Sequence, residues 1–144
     1  VSPAESIVQV ASRLEAMGPA PGSAESRFCD GVRRWISEGG SLDAALGLCG
    51  EVGIETARTR YLRAQRDYHL RQAHGLVSGD SAWSRSVVLA EEVSRFLSLV
   101  WPRWRDLSEP PEGCSDLRRH LFLAHRSGSL PESPRQLHVI CTGI

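Results

Sequence analysis

The chain reads as an all-α protein, a compact bundle of about six helices, on three observations. Apolar residues recur at steps of three and four in six separate stretches. Those stretches are bounded by helix-start and helix-stop chemistry, with Ser-Pro openings at 2–3 and 133–134 and Gly or Pro breaks between segments. No segment makes a convincing strand. At 144 residues, one domain over 1–144 with a real core is expected.

The first helix opens on Ser2-Pro3-Ala4-Glu5: Ser as N-cap, Pro at the first helical position, Glu closing a capping box. Ile7, Val10, Ala11, Leu14 and Met17 follow on one face, and Gly18-Pro19-Ala20-Pro21-Gly22 stops it. A second helix over 24–38 places Phe28, Val32, Trp35 and Ile36 together and ends at Gly39-Gly40. Ser41 caps a short third helix, 42–48, and Cys49-Gly50-Glu51-Val52-Gly53 forms the turn after it.

The fourth helix, 56–77, carries Arg58, Arg60, Arg63, Arg66 and Arg71 against Asp67 alone. Leu62, Leu70, Ala73, Leu76 and Val77 form one apolar stripe, and Ala57, Tyr61, Ala64 and Tyr68 a second. Between them runs a polar edge of Arg60, Arg63, Asp67, Arg71 and His74. Packing on two sides is therefore expected, with Arg58 and Arg66 snorkelling or pairing beside the first stripe. A fifth helix, 82–101, has the clearest core face (Trp83, Val87, Ala90, Val93, Phe96, Leu97 and Val100) and is expected to end at Pro102. A sixth, 116–126, follows the cap Ser115 and buries Leu117, Leu121, Phe122 and Ala124. Ser133-Pro134-Arg135-Gln136 then starts a short terminal helix, with Gln136 closing a capping box.

All seventeen basic residues are arginine, matched by seventeen acids. Without lysine, a P-loop lysine and Schiff-base chemistry are excluded. Residues 1–55 hold four Arg against eight acids, residues 56–74 five against one, and the remainder eight of each. That layout steers an acidic partner, or is satisfied by the chain's own acidic first third. The absence of lysine and asparagine points to a GC-rich bacterial genome.

Two helix-turn-helix units suggest themselves. In the first, 42–48 braces the arginine helix, whose reading residues are Thr56, Arg58, Thr59, Arg60 and Arg63. In the second, 116–126 precedes the terminal helix, with Ser133, Arg135 and Gln136 in that role. Arginine contacts guanine edges bidentately, and a helix start holds phosphate. Residues 41–48 followed by 56–74 resemble the small helix-turn-helix proteins of bacterial phages and integrated mobile elements. That resemblance implies a non-enzymatic, DNA-binding or regulatory protein.

The rival reading is a protein-interaction module, or an inhibitor of host or phage nucleic-acid machinery. The same arginines, Arg71 included, then meet an acidic protein surface. Trp101-Pro102-Arg103-Trp104-Arg105 supplies a second contact there, through Arg103, Trp104 and Arg105, because an exposed Trp anchors interfaces.

Little else carries chemistry. No GxSxG, HExxH, Walker A or GxGxxG occurs, so no catalytic residue is assigned. Glu91-Glu92 beside Arg95 reads as an ion pair on a solvated face, and Asp80 as a cap. His69 and His74 are five apart, as are His120 and His125, which separates each pair around its helix. No metal and no cofactor are therefore expected. Cys29, Cys49, Cys114 and Cys141 form no CxxC pair and read as buried structural thiols. With no secretory signal or long apolar run, a cytoplasmic chain with no membrane partner is expected.

Overall fold

The computed structural model describes residues 1–50 and 53–144. Among them every regular element is helical and no strand occurs, so the protein is all-α. The turn expected over 49–53 lies partly outside the described residues. The chain divides into two compact units, Val1–Thr59 and Arg60–Ile144.

The first unit contains α1 (Pro3–Ala16), α2 (Ala24–Glu38) and α3 (Leu42–Ala45). The capping box of α1 forms as expected: Glu5 N–H donates to Ser2 Oγ, and Ser2 N–H donates to Glu5 Oε2 at 2.6 Å. α1 packs on α2 through buried Ala11, Cys29 and Val32, with Ile7, Leu14 and Phe28 around them. Cys29 is the structural thiol expected, its Sγ–H donating to Ala11 O at 3.4 Å. Arg33 of α2 clasps Glu15 of α1 through both Nε and Nη2, at 2.9 and 2.5 Å. The wheel fails at the edges. Val10, Ile36 and Met17 are exposed, because the α1–α2 contact covers a narrower strip than the apolar face. α3 is a single turn, shorter than the sequence suggests, because Gly47 takes φ +72° directly after its cap.

α4 (Ala57–Leu76) begins with the last three residues of the first unit and continues into the second. There α5 (Ala82–Arg95), α7 (Asp116–Ser127) and α8 (Pro134–Thr142) join it around one core. Leu70, Leu89, Val93, Phe96, Phe122 and Leu137 are almost wholly buried. α8 packs chiefly against α5 rather than against α7, its predecessor in the chain. Its expected capping box is missing, since Ser133 makes no side-chain cap bond.

Pro102 does not end the fifth helix. The helix passes through a π-turn, Phe96–Val100, and goes on as α6 (Trp101–Trp104). Trp101 N–H reaches back to Phe96 O, five residues away. An α-helix would set the proline ring against the carbonyl four residues back and lose a bond there. The wider π-turn restarts the ladder so that Pro102 falls in the first turn of α6, where an N–H is not needed. Trp101 and Trp104 then both turn their rings to Phe96 and Phe122, at centroid distances of 5.8–6.3 Å.

Candidate nucleic-acid interface

α4 starts without a neighbouring acid in its first turn, and Thr56 supplies its cap. Thr59 N–H donates to Thr56 Oγ1 at 3.2 Å, while the two hydroxyls lie 2.9 Å apart. Thr59 is thus engaged in starting the helix, although its residue surface is exposed. Arg58, Arg60, Arg63 and Arg71 are exposed along the helix. Arg71 Nε donates to Ile140 O at 3.1 Å, a bond that takes one of its five N–H donors. Arg60 and Arg71 fall on one side of α4, eleven residues apart, which is about 16 Å along the axis.

The acid of this helix is occupied. Asp67 Oδ1 accepts from Nε and Nη2 of Arg66 at 2.9 and 2.8 Å, and both side chains are about one-fifth exposed. Arg66 Nη1 also reaches Ser129 O at 3.3 Å. The pairing expected of Arg66 is therefore present, and it draws Asp67 away from the outer arginines.

Two parts of the helical wheel are overturned. Tyr61 and Tyr68, expected in a second buried stripe, are 62% and 50% exposed, and Ala64 is exposed with them. The core of the second unit covers only the side of α4 that carries Leu70, Ala73 and Val77, so the opposite side faces solvent. Conversely His74, expected on the polar edge, is buried. Its Nε2–H donates to Ala82 O at 3.0 Å and lies 3.2 Å from Ser86 Oγ. The polar edge becomes a surface of guanidinium and phenol.

The other predicted residues separate. Arg103 and Arg105 are exposed after the π-turn, and Arg105 stands 3.9 Å from Asp106. Trp104 is half-buried, with its ring on Phe96 and Phe122, so its indole serves the core. Trp83, expected in the core, is instead 50% exposed, with its ring edge toward His138. Arg135 and Gln136 are exposed at the start of α8. They line a groove of about 460 Å³ with Arg66, Leu130, Val139 and Ile140.

Other polar groups take part in pairs and caps. Arg95 pairs with Glu92 rather than Glu91, and Ser81, not Asp80, caps α5. Cys49 is exposed, unlike the buried thiol expected. Cys141 sits half-buried with Sγ 3.6 Å from Leu70 O, and burial pushes its thiol up to about 11. Burial likewise lowers His69, His120 and His125 below the usual histidine range. Sequence reasoning missed one association entirely: His69 of α4 and His120 of α7 meet with their Nδ1 atoms 3.1 Å apart. No spacing rule signals a pair 51 residues apart. Among the described residues no cluster of three or more His, Cys, Asp or Glu is arranged for a metal, and no helix is long and apolar enough to cross a membrane. The chain matches no family model, no curated protein and no solved structure.

Proposed function

We propose that the chain is a non-enzymatic nucleic-acid-binding protein that contacts DNA through the solvent side of α4. One observation carries this reading: Arg60 and Arg71 stand exposed on one side of a helix whose acid, Asp67, is held by Arg66. Outward guanidinium groups suit phosphate, and arginine also reads guanine edges. Tyr61 and Tyr68, exposed between the arginines, add phenol hydroxyls for phosphate and ring faces for an unpaired base.

Binding to labelled duplex and single-stranded DNA tests the proposal by fluorescence anisotropy across salt. With about three phosphates engaged, the log–log salt slope on a duplex should approach about −3. Arg60→Ala with Arg71→Ala should reduce affinity about tenfold or more and flatten that slope by about 2. An absence of binding to either DNA at low salt removes the reading. An acidic protein captured through the same two arginines would replace it.

A further inference from the structure

We propose that His69 and His120 together form a two-histidine binding site for a first-row divalent metal ion of the nickel or zinc class. The rings come from separate helices of the second unit, α4 and α7, and present the same atom to each other. Their Nδ1 atoms are 3.1 Å apart, the ring centroids 5.3 Å apart, and the ring planes are inclined by 37°. On a tetrahedral ion with bonds of about 2.05 Å, two imidazole nitrogens stand about 3.3 Å apart. The observed separation is close to that distance, so an ion would need the pair to open slightly and each ring to turn its Nδ1 lone pair toward it.

Without a metal, the same contact is an imidazole–imidazole hydrogen bond, one Nδ1–H donating to the other Nδ1. An ion replaces that single shared proton, which moves to Nε2 of the donor ring, so both rings stay neutral. Imidazole nitrogen suits nickel, copper and zinc, whereas magnesium and calcium prefer oxygen. Both residues are half-buried rather than enclosed, which leaves coordination positions for water. Asp116, one turn before His120 on α7, favours a cation there, and Arg119 opposes it.

Calorimetric titration of the full chain with NiCl₂ near neutral pH tests the site. The expected result is one saturable equivalent that His69→Gln and His120→Gln each weaken at least tenfold. Nickel should raise the Tm of the parent chain and leave that of each variant unmoved. Circular dichroism identifies a variant that fails to fold, and the other then carries the comparison. Wild-type affinity in a folded variant overturns the proposal, as does the absence of saturable binding below about 1 mM. Loss of that equivalent in Cys49→Ser with Cys114→Ser would move the ion to the thiols and overturn it equally.

Discussion

Arg66 spends its guanidinium on its own neighbour, with Nε and Nη2 2.9 and 2.8 Å from Asp67 Oδ1, while Nη1 points to Ser129 O. One side chain thereby ties α4 to the segment before α8 and withdraws the helix's acid from the outer arginines. Two neighbouring residues thus set the charge that α4 shows to solvent.

Asp67→Asn should tighten duplex binding several-fold at low salt, because it releases the Arg66 guanidinium from its carboxylate and makes α4 more positive by one charge. The same change should cost about 1 kcal/mol of stability through the weakened pair. Anisotropy and urea unfolding on one sample separate these effects. Unchanged DNA affinity would mean that Asp67 does not shape the field.

Stability should fall as pH drops below about 6.5. His69, His120 and His125 all titrate lower in the folded chain, chiefly because burial disfavours their charged forms. The unfolded chain therefore binds more protons once pH falls below the ordinary histidine value. This contribution is fully present above it and is lost as pH falls through the lowered values. His125 adds to the sensitivity, since its Nδ1 is buried without a hydrogen-bond partner and its ring stands edge-on to Trp101 at 4.3 Å. Denaturant melts at several pH values should steepen across this window, and His120→Gln should shallow the slope.

Two glycines four residues apart should respond in opposite directions. Gly75, inside α4, has nothing within 4 Å of an added Cβ, so Gly75→Ala should stabilise by about 0.5–1 kcal/mol through helix propensity. At Gly79 the same methyl would lie 2.8 Å from Arg85 N and 2.6 Å from Ser84 Oγ. Gly79→Ala should destabilise by about 1–3 kcal/mol, as forced overpacking does. Thermal melts of the two variants give the signs directly.

Phe122→Ala should cost about 3–5 kcal/mol, because the ring is fully buried beneath Trp101 and Trp104. Tryptophan emission should change with it. Trp83→Ala removes a half-exposed ring and should cost clearly less. Equal losses in chemical denaturation would contradict this assignment of the core.

Most of the helices were legible because their signals are local. Ser2 and Glu5 cap within one turn, and the apolar steps in α5 span its own length. Errors concentrate where a distant partner decides. The wheel identifies apolar sides of α4 without saying that only one is covered, so it puts Tyr61 and Tyr68 inside and His74 outside, the reverse of their burial. Pro102 reads as a stop because an α-helix cannot absorb it, whereas the π-turn before it can.

The sequence by itself determined the all-helical class, the approximate segments and the concentration of arginine on α4. Periodicity, capping and charge act over a few residues and need no knowledge of neighbours. Only the tertiary structure decided which side of α4 faces solvent, which acid is consumed, and that His69 meets His120. Those outcomes depend on which helices pack together, and contacts between residues 51 positions apart leave no periodic trace in the chain.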